Sequence, residues 1–140
     1  MSHPTRVFCV DDNPLLADAL QRRLASEADL AWAGWSEDTN AAVRAILGNP
    51  PDVVMLDIDM PGHESFEMVK RLAIEAPGVR VLMFSGHVRP DYLDRAIDAG
   101  AWGYVSKHDT MDDILHAIRR AATGEFVVTS DVRKECLRGA

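Results

Sequence analysis

Five short apolar runs alternate with stretches of helical periodicity along this chain, and four of them stop abruptly at polar residues. Val7-Phe8-Cys9-Val10 meets Asp11-Asp12, and Val53-Val54-Met55-Leu56 meets Asp57. Val81-Leu82-Met83-Phe84 meets Ser85, and Tyr104-Val105-Ser106 meets Lys107. Continuous apolar runs of this length read as strands buried on both faces, the mark of a parallel sheet. Parallel strands need crossovers, and the intervening stretches supply them.

After Arg6 to Val10, Asn13-Pro14 opens a helix with Leu16, Leu20 and Leu24 on one face. Leu30 to Trp35 is the faintest strand, blurred by Gly34 and alternating alanines. Asp38 to Leu47 is a helix closed by Asn49-Pro50-Pro51. Asp52 to Leu56 is the third strand. The next helix points Phe66, Val69 and Ala73 inward and ends at Ala76-Pro77-Gly78. Val79 to Phe84 is the fourth strand, and the helix after Pro90 turns Leu93, Ala96 and Ile97 inward before Gly100. Trp102 to Val105 is the fifth strand. Asp109-Thr110 caps a last helix striped with Met111, Ile114, Leu115, Ile118 and Ala122, which Gly124 ends. Five strand-helix units with right-handed crossovers give a doubly wound α/β sandwich. Residues 1–124 form the expected domain, and 125–140 a short tail: Phe126-Val127-Val128, then a polar stretch with room for a helical turn.

At 140 residues a single domain is expected. The net charge of -7 disfavours direct nucleic-acid contact, which calls for a basic face. No run approaches the roughly 20 apolar residues of a membrane span. The four apolar residues after Arg6 are too few for a signal peptide. A cytoplasmic protein is expected. Cys9 and Cys136 make no disulfide framework, and no Cys/His cluster suggests zinc. Trp32, Trp35 and Trp102 read as packing residues, and His63, His87, His108 and His116 as solvated. No Gly-x-Ser-x-Gly turn, Walker loop or Gly-x-Gly-x-x-Gly occurs.

In a parallel sheet, groups at the carboxyl ends of strands converge on one crevice. Asp11, Asp12 and Asp57 within about 5 Å would repel by roughly 3 kcal/mol per pair at an effective dielectric near 20. A hard divalent cation relieves this, and Mg²⁺ prefers carboxylate oxygens with water and phosphate. Lys107 adds positive charge. Asp57 can then accept a phosphoryl group as a mixed anhydride, with Lys107 and the Ser85 hydroxyl on its other oxygens. Tyr104, three residues before Lys107, has a phenol able to turn between buried and exposed states and so to report the change.

The chain resembles the receiver domain of two-component response regulators from about Arg6 to Gly124. The resemblance rests on Val10-Asp11-Asp12-Asn13, Leu56-Asp57-Ile58-Asp59-Met60-Pro61-Gly62, Phe84-Ser85-Gly86 and Tyr104-Val105-Ser106-Lys107, in that order. It implies a flavodoxin-like sheet of five parallel strands in the order 2-1-3-4-5. It implies that Asp57 is the phosphoacceptor and that Asp11, Asp12, Asp57 and the backbone carbonyl of Asp59 hold Mg²⁺. Ser85 and Tyr104 would be the switch pair and Lys107 the phosphate-pairing lysine. A sensor histidine kinase is the implied donor, a homodimer on phosphorylation an implied partner, and Pro90 to Thr123 the surface that changes. Ala99 to Tyr104 and the tail look most like the nitrate-regulator and LuxR-like branch, whose members usually continue into a helix-turn-helix domain. Ser65 departs from a frequent glycine. Asp59 and His87 stand at variable positions flanking the path of an attacking water, and the Asp59 side chain adds a fourth acid.

Two other classes remain open on the residues. Asp57-Ile58-Asp59 matches the Asp-x-Asp pair of haloacid-dehalogenase-like phosphatases, though that pair normally ends a first strand. A receiver-like interaction module that is never phosphorylated is the other.

Overall fold

The computed structural model describes residues 3–62 and 64–138; His63 and Gly139-Ala140 lie outside them. The elements run β1 (Thr5–Val10), α1 (Pro14–Ala25), β2 (Leu30–Ser36), α2 (Thr39–Gly48), β3 (Val53–Asp57), α3 (Ser65–Glu75), β4 (Arg80–Ser85), α4 (Pro90–Ala99), β5 (Gly103–Ser106), α5 (Met111–Ala122), β6 (Val127–Val128) and α6 (Ser130–Arg138). The sheet order is β2-β1-β3-β4-β5-β6, and every pairing is parallel.

The doubly wound α/β fold is thus as expected, with one correction: the sheet has six strands, not five. Val127 and Val128 pair with Gly103 and Tyr104 on the outer edge of β5. Two residues are too short a run for periodicity to distinguish from a loop. The polar stretch behind them is a nine-residue helix rather than a single turn.

Strand alternation distributes the apolar runs to both faces of the sheet. Phe8, Val10, Val54, Leu56, Val81, Met83 and Tyr104 share a core with α2, α3, α4 and Val132 of α6. Val7, Cys9, Val53, Met55, Leu82, Phe84 and Val105 share the opposite core with α1 and α5. This two-sided burial is why the strands read as unbroken apolar runs.

Caps sit where the side chains demanded. Asn13 caps α1, Asp38 caps α2 and Thr110 caps α5, each through its side-chain oxygen. Gly100 ends α4 in the left-handed region, at φ 98°. Two inward assignments were misplaced: Ala73 and Ile97 face solvent, and Leu72 and Ala99 are buried instead. The errors are of one position in α3 and two in α4, within what a short amphipathic pattern leaves free. Among the described residues no helix is long and apolar enough to cross a membrane.

Candidate functional site

Asp57 is the last residue of β3, so its side chain emerges at the carboxyl edge of the sheet between β1 and β4. It is 2% exposed. Its Oδ1 accepts from the Asp59 amide at 2.8 Å, and its Oδ2 lies 3.2 Å from the Lys107 ammonium. The Ser65 hydroxyl, itself buried, donates to the Asp57 carbonyl at 2.7 Å. The first turn of α3 therefore holds the backbone of Asp57 in place.

Asp11 follows β1 and is fully buried. Its Oδ1 accepts from the Asn13 amide at 2.8 Å. Its Oδ2 pairs with Lys107 Nζ at 2.8 Å. The Trp35 indole N–H donates to the Asp11 carbonyl at 2.7 Å, so Trp35, expected to pack, is instead an exposed residue that positions the site. Asp12 is exposed beside them, and carboxylate oxygens of Asp11, Asp12 and Asp57 lie within 4.8 Å of one another.

Lys107 reaches in from the end of β5 and bridges Asp11 and Asp57. Its backbone N–H donates to the Ser85 carbonyl at 2.8 Å. Burial opposes the ammonium charge, but hydrogen bonding to Asp11 and the charge of Asp57 outweigh it and raise the Lys107 pKa above its ordinary value. Burial also raises the Asp57 carboxyl, with the Asp11 charge adding to it. Cys9, beneath the site, is pushed up to about 12 by burial, then by Asp11, and is an inert core residue.

Ser85 ends β4, fully buried. Its hydroxyl proton has two acceptors in reach, Asp59 Oδ2 and the His87 carbonyl, each at 2.9 Å. Asp59 Oδ2 also accepts from the Gly86 amide at 3.0 Å. The Asp59 carboxylate thus holds the Ser85 hydroxyl and the Gly86 amide together, a role the residue pattern did not disclose. Tyr104 is fully buried, its phenol oxygen accepting from the Arg89 amide at 3.1 Å, and burial raises its pKa. His87 and His108 are exposed, and a His108 ring nitrogen lies 2.9 Å from the Gly86 carbonyl.

The structure thus brings Asp11, Asp12, Asp57, Ser85 and Lys107 to one edge, with Tyr104 one strand away beneath the β4–α4 loop. Ser65 carried a signal as a departure. Trp35 carried none, and the Asp59 carboxylate, legible as a fourth acid, gave no sign of its partners, because these are backbone groups and a hydroxyl far away in sequence. The all-oxygen donor set of three carboxylates fits a hard divalent cation.

The family model for the response regulator receiver domain matches residues 7–119. The transcriptional regulatory protein YvfU of Bacillus subtilis is 32% identical over 95% of this chain and 66% of its own length. A LuxR-family two-component response regulator from Aurantimonas sp. SI85-9A1 superposes with a TM-score of 0.89 at 25% identity, covering 97% of both chains. The signal receiver domain of NarL from Mycobacterium tuberculosis superposes with a TM-score of 0.83 at 30% identity, covering 89% of this chain and 100% of that one. The chain spans between 58% and 66% of the length of curated relatives it matches.

Proposed function

The chain belongs to the response regulator receiver domain family, with NarL- and LuxR-family regulators among its relatives, and on that premise we propose that it is a switch set by phosphorylation of Asp57. The observation that carries this reading is the bridge of the half-buried Lys107 between the buried Asp11 and Asp57, at 2.8 and 3.2 Å. An ammonium there orients the Asp57 carboxylate and stands ready for the charge that a phosphoryl group adds, about -1.5 to -2.

An Asp57 oxygen forms the new bond to phosphorus as the bond to the donor nitrogen of a sensor histidine kinase breaks, giving a mixed anhydride. Asp11, Asp12, Asp57 and the backbone carbonyl of Asp59 would hold Mg²⁺, which when bound neutralises charge on the phosphoryl oxygens. Lys107 pairs with one of those oxygens. Ser85 leaves Asp59 and donates to another, and the Gly86 amide is freed with it. Tyr104, bonded to the amide of Arg89 just before α4, follows the loop.

The domain is regulatory rather than catalytic. Against the phosphatase reading, the Asp59 carboxylate is turned to Ser85 and Gly86 instead of standing free beside Asp57 as a general acid. Control of transcription through a helix-turn-helix domain or partner, and homodimerisation on phosphorylation, are the readings for the longer protein. The relative named as a transcriptional regulator supports the first.

Acetyl phosphate with Mg²⁺, followed by intact mass, tests the switch. An acid-stable, alkali-labile phosphoryl adduct is expected on the wild type and not on Asp57→Asn. An adduct on both proteins, or turnover of phosphomonoesters, overturns it.

A further inference from the structure

Strand β6 and helix α6 occupy ground that the sequence left to an outside partner. The outer edge of β5 is paired with Val127–Val128. Val132 of α6 is fully buried in the same core as Tyr104, and Cys136 packs against that core.

The first turn of α6 is bonded to the strand that carries the site's lysine. The buried Ser106 hydroxyl donates to Asp131 Oδ2 at 2.6 Å. The Ser106 amide donates to Asp109 Oδ2 at 3.1 Å, with Thr129 Oγ1 at 3.4 Å. Such a hydroxyl-to-carboxylate bond is charge-assisted and short, stronger than a neutral one. Ser106 is also tied forward, accepting from the His108 amide at 3.0 Å. The next residue is Lys107, whose ammonium rests on Asp11 and Asp57. One peptide bond therefore separates the anchor of α6 from the group that answers to charge on Asp57.

We propose that the β6–α6 tail is the output element of this domain, its docking set by the state of Asp57 through Lys107, Ser106 and Asp131. This rests on the receiver reading above. A phosphoryl group on Asp57 stands farther out than the carboxylate it replaces as partner of Lys107. The lysine follows it, the β5–α5 loop shifts with Ser106, and the Ser106–Asp131 bond is lost. Helix α6 then loosens on β5. By linkage, the same bond resists loading of Asp57 to the same degree.

The phosphoryl mimic BeF3⁻ with Mg²⁺, added to the full chain, tests this. Fluorine NMR reports occupancy of the site, and amide hydrogen exchange reports the tail. Residues 127–138 are expected to exchange about tenfold faster once BeF3⁻ is bound, within the usual range of coupling between sites. Ser106→Ala and Asp131→Asn are expected to show the fast tail without BeF3⁻ and to bind BeF3⁻ about tenfold tighter. Asp131→Asn keeps the size of the side chain and serves if Ser106→Ala does not fold. Bound BeF3⁻ with unchanged tail exchange overturns the proposal, as do variants that bind it no tighter. Absence of a bound fluorine signal overturns the receiver reading itself, and this inference with it.

Discussion

At Asp59, one carboxylate oxygen accepts from both the Ser85 hydroxyl and the Gly86 amide, the donors that the proposed phosphoryl group on Asp57 would take. On that proposal, loading of Asp57 has to break those two bonds. Asp59→Asn weakens them by exchanging a charged acceptor for a neutral one. We expect that variant to bind BeF3⁻ with Mg²⁺ about 3- to 10-fold more tightly, about 1 kcal/mol, measured by titration calorimetry. Unchanged or weaker binding would show that Asp59 does not compete. Asp57 itself is held in an unfavourable state. Burial first, then the charge of Asp11, raises its carboxyl above the ordinary 3.8. A proton is therefore held more tightly in the fold than in the unfolded chain. The cost of ionisation is absent below the unfolded pKa and complete above the folded one. Without divalent cations, Asp57→Asn should be more stable than wild type at neutral pH. The difference should close as pH falls toward about 4. Urea midpoints across that range decide it, and a pH-independent difference would contradict it.

At the scale of elements, the tail depends on a single residue type in β5. A methyl group on Gly103 would lie 2.4 Å from the Val127 carbonyl oxygen and 2.7 Å from Leu82 Cδ2. Only glycine lets β6 approach β5 this closely while Leu82 fills the core below. Gly103→Ala should destabilise the fold by about 1–3 kcal/mol through overpacking. Hydrogen exchange should show β6 opening first. Strand β6 was invisible beforehand for a related reason. Its evidence is a glycine on another strand, not a pattern of its own. The misplaced faces of α3 and α4 have a different origin. Ile74 and Ile97 are large apolar residues left exposed, so composition alone does not say which stripe of a helix meets the sheet.

For the whole molecule, the tail is part of the folded unit. Val127 and Val132 are 2% and 0% exposed, one in each core. Truncation after Gly124 uncovers the β5 edge and both cores, and should cost about 3–5 kcal/mol. A urea transition at the wild-type midpoint would show that the tail only rests on the surface. The sequence by itself determined the layer architecture, because two-sided burial writes parallel strands as apolar runs. It also marked Asp11, Asp12, Asp57, Ser85 and Lys107 as candidate site residues, because each stands where an apolar run breaks. Only the tertiary structure decided which donors those residues hold at rest. The bonds of Ser85 with Asp59, and of Ser106 with Asp131, join residues 26 and 25 positions apart. They depend on how loops lie across strand ends, a geometry that neither periodicity nor motif spacing encodes.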